Sequence, residues 1–222
     1  MPQLAEPPPR PAPPARRTVL RGVTWAEYVA LRAKPENEHV KLTYDGPAGG
    51  LLEIEMPNGP LHENVSWWLA NLILAFTEER RIPVRGVGSL TQSREDLQRG
   101  LESDLCYYVS SLPKLEGRDA VDLEAGDPPP DLCVEVDVTS PGVRKLPIYA
   151  ALGVPEVWVW ANDTLTVHRR GDDGAYAVSG KSGELPGFPI ATAAALIARR
   201  AEAEHFALLA EWRTAVRPDE NQ

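Results

Sequence analysis

The run DLCVEVDV at 131–138, followed by RKLPIYAALG at 144–153 and EVWVW at 156–160, constrains the fold more than any other part of the chain. Its first stretch alternates, placing Leu132, Val134, Val136 and Val138 on one face and Asp131, Cys133, Glu135 and Asp137 on the other, which is the period of a strand. RKLPIYAALG reads as a short helix, and EVWVW is apolar throughout, as a strand covered on both faces is. A strand, a helix of about ten residues and a second buried strand make a crossover unit, so the two strands must run parallel.

The remaining segments imply hairpins around that unit. TWAE at 24–27 has the form of a capping box, with Thr24 and Glu27 satisfying each other's amides, and starts a short helix to about Ala33. HVKLTYD (39–45) and GLLEIEM (50–56) read as an antiparallel pair joined by GPAGG. In 62–80, Val65, Trp68, Leu69, Leu72 and Phe76 form one helical stripe. Strands are expected near 83–90, 102–109, 164–170 and 174–178, with a surface loop over 110–130 and an Ala-rich amphipathic helix over 191–216.

A chain of 222 residues suits one domain. We expect a disordered, Pro-rich basic arm at 1–21, a folded domain at 22–190, and a C-terminal amphipathic helix and tail at 191–222. No run of about 18 apolar residues and no leader pattern is present, so the expectation is a cytoplasmic protein with no membrane span. Two cysteines, Cys106 and Cys133, make neither a disulfide framework nor a paired-ligand zinc site. The net charge of −9 argues against broad adhesion to nucleic acid, and without residues 1–21 it deepens to −12. Any phosphate backbone would have to meet a local basic patch or the basic arm.

The strand at 102–109 splits as the one at 131–138 does, with Ser103, Leu105, Tyr107 and Val109 opposing Glu102, Asp104, Cys106 and Tyr108. An antiparallel pairing that sets Asp104 opposite Glu135 also sets Glu102 opposite Asp137 and Cys106 opposite Cys133. Four carboxylates at one end of a ladder need raised pKa values, basic neighbours or a bound cation. Oxygen-only ligands suit Mg²⁺ or Mn²⁺. Lys145, near the start of the next helix, would reach the cluster to stabilise charge or orient a water. The same alternation is equally that of a solvated strand face that does no chemistry.

The strings DGPAGGLLEIEMPNGPLHE, REDLQRGLESDLCYY and PPPDLCVEVDVTSPGVRKLPIYAALGVPEVW resemble the Uma-two family of restriction-endonuclease-like proteins, within the PD-(D/E)XK superfamily, over roughly residues 22–190. The resemblance implies an α/β fold, a mixed sheet flanked by helices. It also implies a Mg²⁺-dependent (or Mn²⁺-dependent) endonuclease acting on DNA, and makes a homodimer reasonable. Carried onto this chain, the superfamily's metal-binding acids become Asp104 and Glu135 and its lysine becomes Lys145. This sequence departs from the superfamily pattern twice: Asp137 stands where a Lys usually follows the second acid, and Ser103 replaces the Pro usually found before the first.

His62 and Glu63 belong to the first matching string and open the long helix. His62 would line the site or serve as a cap, and Glu63 would add a helix-borne acid; Asp137 and Glu102 complete the auxiliary set. The functional expectation is a metal-dependent nuclease in which replacing Asp104 or Glu135 abolishes cleavage and leaves the metal-free fold intact or even stabilised. The competing expectation is a catalytically inert nuclease-derived binding or dimerisation module. Metal-dependent hydrolysis of a substrate other than nucleic acid fits the acidity but has no motif behind it.

Overall fold

The computed structural model describes residues 17–56, 59–137 and 144–218. The strands are β1 (Arg17–Leu20), β2 (Lys41–Asp45), β3 (Leu51–Glu55), β4 (Arg85–Arg94), β5 (Arg99–Tyr108), β6 (Leu132–Asp137), β7 (Glu156–Ala161), β8 (Thr164–Arg170) and β9 (Tyr176–Ser179). The helices are α1 (Trp25–Arg32), α2 (Pro60–Arg80), α3 (Leu146–Leu152), α4 (Ile190–Ala198) and α5 (His205–Val216). The sheet order is β1-β3-β2-β5-β6-β7-β8-β9, with β4 also paired to β5. The β6–β7 pair is parallel, as the crossover through α3 requires, and the other ladders are antiparallel. The architecture is thus the expected mixed α/β one, a mostly antiparallel sheet with helices on its faces.

Side-chain alternation sorts the core. On one face α2 buries Val65, Trp68, Leu69, Leu72 and Phe76 against Leu132, Val134, Val136, Trp158 and Trp160, with α4 and α5 completing the layer. On the other, Ile148, Tyr149 and Leu152 of α3 pack on Leu101, Cys106, Cys133 and Val157. A third cluster, Tyr28, Leu42, Tyr44 and Leu52, roots α1 on the hairpin, and the capping box of Thr24 and Glu27 starts that helix as expected.

Several boundaries differ from the sequence expectation. Residues 1–16 of the expected arm lie outside the described residues, as do Val138 of the key strand and residues 219–222 of the tail. Arg17–Leu20, by contrast, is an edge strand paired to β3. The 110–130 loop is not wholly superficial, because Leu115 and Leu123 are buried. The C-terminal stretch is two helices, since one straight helix of that length would extend roughly 39 Å and overshoot the α2 face. Glu204 accepts from the Ala207 amide at 3.0 Å to start α5 afresh, and Trp212 Nε1 donates to Leu72 O at 2.9 Å. No helix among the described residues is long and apolar enough to cross a membrane.

One irregularity governs the site. Gly88 pairs with Cys106 and Leu90 with Ser103, so two steps along β4 match three along β5, and β5 carries a bulge between Ser103 and Cys106. The expected strict alternation of β5 therefore fails there. Leu101 and Cys106 face α3 together, Ser103 reaches Tyr149, and Leu105 and Tyr107 pack on the α2 side.

Candidate active site

Because β4 covers one edge of β5 along its length, β2 and β6 must share the other edge. β2 pairs only at Arg99 and Gly100, and β6 only at Leu105, Cys106 and Tyr107. Asp104 lies in the gap between them, beside the bulge, where the backbone no longer dictates what its side chain meets. The Cys106–Cys133 register is the one expected from sequence, but the ladder stops one step before Asp104 and Glu135. Asp104 Oδ2 instead accepts the Val136 amide at 2.7 Å. The same oxygen lies 3.1 Å from His62 Nε2, and Oδ1 takes the Lys41 ammonium. Burial works to raise this carboxyl, but the His62 hydrogen bond and the charges of Lys41, His62 and Lys145 outweigh it and hold it well below the ordinary carboxylate range.

Glu135 is held from the other side of the sheet. Lys145, the residue that caps α3, donates to Glu135 Oε2 at 2.7 Å, and Tyr149 Oη donates to Oε1. Lys145 and Tyr149 are four residues apart, hence on one face of a helix, so α3 grips the carboxylate by both oxygens. Burial pushes the Glu135 carboxyl up, with Lys145 opposing and the Asp104 charge adding to the rise. Burial alone would lower Lys145; Glu135, Asp104 and Glu55 outweigh it and hold the ammonium above its ordinary value, and Lys41 behaves likewise toward Asp104 and Glu135.

A row of alternating charge crosses the neighbouring strands, with Arg17 of β1 and Lys41 of β2 both opposite Glu55 of β3. Arg17 lies 2.9 Å from Glu55 Oε1 and 3.7 Å from Asp137 Oδ1, and Lys145 Nζ is 3.9 Å from Glu55 Oε2. Asp104, Glu135, Asp137, Glu55, Lys145, Arg144, Arg17 and His62 all line one cavity of about 230 Å³. The expected trio of Asp104, Glu135 and Lys145 therefore meets in one place, with the auxiliary Asp137 and His62 on its wall. Glu63 is apart, its side chain 67% exposed and 3.4 Å from His62 Nδ1 on the outer side. Glu102 does not line this cavity; it pairs with Thr91 of β4, before the bulge.

The model of the Uma2 family, described as "Putative restriction endonuclease", matches residues 25–190. This chain belongs to the Uma2 family. No curated protein matches it. Among solved structures, the "Crystal structure of a putative nuclease belonging to DUF820 from Anabaena variabilis ATCC 29413" matches with a TM-score of 0.51 at 16% identity, covering 86% of this chain and 99% of that one. At that identity the likeness speaks for the fold alone, a mixed, mostly antiparallel sheet flanked by helices.

Within this Uma2 chain the sequence left Lys41, Tyr149, Glu55 and Arg17 unremarked. Tyr149 carried a usable signal, its four-residue spacing from Lys145. Lys41, Glu55 and Arg17 carried none, because they come to the site only through strand order.

The donor chemistry suits a hard cation, since the buried acids offer oxygen alone. Among the described residues no three Asp, Glu, His or Cys side chains converge to enclose an ion. Mg²⁺ needs no such cage, because it commonly takes one or two carboxylates and fills its shell with water and substrate phosphate. Asp104 and Glu135 would be the carboxylates of such an arrangement, with Lys41 and Lys145, which now hold one oxygen of each, giving way.

Proposed function

We propose that this protein is a divalent-metal-dependent endonuclease that hydrolyses DNA phosphodiester bonds, with Asp104 and Glu135 as the ligands of Mg²⁺ or Mn²⁺ and Lys145 as the charge-stabilising group. The observation that carries this reading is the convergence of two buried carboxylates, from neighbouring strands, with a half-buried lysine on one cavity wall. When bound, such an ion polarises the phosphoryl oxygens and lowers the pKa of a water.

The chain's own groups do the rest. Asp104 is kept ionised, and so ready to ligate, by its basic neighbours. Lys145 neutralises Glu135 while the site is empty of substrate, and its ammonium then turns to the negative charge that gathers on the phosphoryl group. Arg144, exposed on the cavity wall, supplies local positive charge of the kind an acidic protein needs to meet a phosphate. His62 braces Asp104 from the start of α2, and Asp137 balances Arg17. We place this activity in the cytoplasm and propose a homodimer, for which the exposed Leu74 and Phe206 offer apolar surface.

The test is nicking of supercoiled plasmid across Mg²⁺ and Mn²⁺ concentrations, with Asp104→Ala and Glu135→Ala alongside. Metal-dependent nicking lost in both variants supports the assignment, and nicking retained in either overturns it. The net charge of −9 favours a second reading, an inert binding module of nuclease descent. Calorimetry separates the two: no uptake of Mn²⁺ at millimolar concentration selects the inert module.

A further inference from the structure

The geometry points to Tyr149 as a positioning residue for Glu135, backed by a hydrogen-bonded chain through Ser103 and Gln92. This rests on the reading of Glu135 as a metal ligand and adds to it how the ligand is kept in place. The two grips on Glu135 differ in kind. Lys145 is a flexible ammonium with a substrate phosphate to answer to. Tyr149 is a rigid ring, fully buried on α3, whose single hydroxyl proton goes to Glu135. An oxygen held by Tyr149 stays put whether or not Lys145 leaves, so Oε2 is the atom left to meet a cation.

Proton bookkeeping supports the chain. A carboxylate only accepts, so the single Tyr149 proton belongs to Glu135. Ser103 Oγ, 2.7 Å from the same tyrosine oxygen, then gives its proton to Tyr149 and accepts from Gln92 Nε2, also at 2.7 Å. Ser103 and Gln92 are both fully buried, which ties the chain to the core. The β5 bulge makes the arrangement possible, because it sends Ser103 toward α3 while its neighbour Asp104 meets Lys41 and His62.

Outer partners that orient a ligating carboxylate change metal affinity by about 10–100-fold when removed. The experiment is therefore calorimetric titration of the whole protein with Mn²⁺ alone, without nucleic acid. Tyr149→Phe keeps the ring and removes only the oxygen, and should raise the Kd about 10–100-fold. Ser103→Ala should shift it in the same direction by less. Tyr176→Phe is the control for lost stability: its hydroxyl donates to Val154 O at 2.6 Å, just past α3 and away from Glu135, and its Kd should stay within about twofold of wild type. Glu135→Ala sets the level of lost binding.

Wild-type affinity in Tyr149→Phe, with binding lost in Glu135→Ala, overturns the positioning role and leaves the metal reading standing. Equal weakening in Tyr149→Phe and Tyr176→Phe overturns it as well, because the effect would then be general loosening. Absence of Mn²⁺ binding by the wild-type protein overturns the metal reading and this inference together.

Discussion

The β5–β6 pair has two ends that are built differently. At the cysteine end, Cys106 and Cys133 are fully buried with their sulfurs 3.6 Å apart, and the backbone ladder from Leu105–Val134 to Tyr107–Leu132 holds the strands. One step on, at the acidic end, the ladder is gone and side chains take its place: Asp104 answers the Val136 amide, while Lys41, His62, Lys145 and Tyr149 answer the carboxylates. A hold made by backbone survives a change of side chain; one made by side chains does not. The acidic end should therefore couple function to folding, and the cysteine end should not.

The largest expected effect tests that coupling on function. Glu135→Ala and Asp104→Ala should each lower metal-dependent nicking by more than about 100-fold, beyond what losing an outer partner costs. Replacing either cysteine should leave nicking unchanged. Equal losses at both ends would erase the distinction.

Next in size is stability. Asp104→Ala strands Lys41, His62 and the Val136 amide, and breaking a buried pair by removing one partner costs about 3–5 kcal/mol. Urea denaturation in metal-free buffer should show a loss of that order. This runs against the expectation, from the acids alone, of an intact or stabilised fold, because Lys41 and the Val136 amide, which answer Asp104, were invisible in the sequence.

A third effect concerns pH, and the two acids should behave with opposite sign. Asp104 has a depressed folded pKa, so its stabilisation is fully present above its unfolded value near 4 and disappears as pH falls through the lower folded one. The stability gap between wild type and Asp104→Asn should hold steady over about pH 5–8 and close only below about 4. Glu135 has a raised folded pKa, so its contribution is full below about 4.3 and is lost as pH rises through the folded value. Glu135→Gln should accordingly gain on wild type across that rise. Parallel slopes in chemical denaturation at several pH values would contradict the assignment.

The smallest effect belongs to the cysteine end, where Cys106→Ala or Cys133→Ala deletes one buried atom and should cost about 1 kcal/mol by the same denaturation.

Much of this was legible in the residues themselves. The crossover was, because β6, α3 and β7 each carry their own period, and so was the register that sets Cys106 against Cys133. Asp104, Glu135 and Lys145 came forward through the resemblance to the Uma-two family, which gave chemical weight to a register the alternation alone only permitted. What escaped was whatever depends on distant strands: Lys41 and Arg17 flank Glu55 only because β1, β3 and β2 lie side by side. Glu102 was misplaced for a different reason, since a bulge leaves no mark in an alternation pattern. The edge strand β1 was hidden by the proline-rich segment before it, whose composition masks four residues that find partners.

The length of α2 separates the two ends of the described chain. Its first turn holds His62 at the cavity, while its last residue, Arg80, holds Val216 O at 2.8 Å. Twenty-one residues of helix put about 30 Å between them. Arg17, the first described residue, also lines that cavity. A label placed on the last turn of α5 would therefore report from about 30 Å away, far enough to leave the cavity undisturbed in a test of the proposed activity.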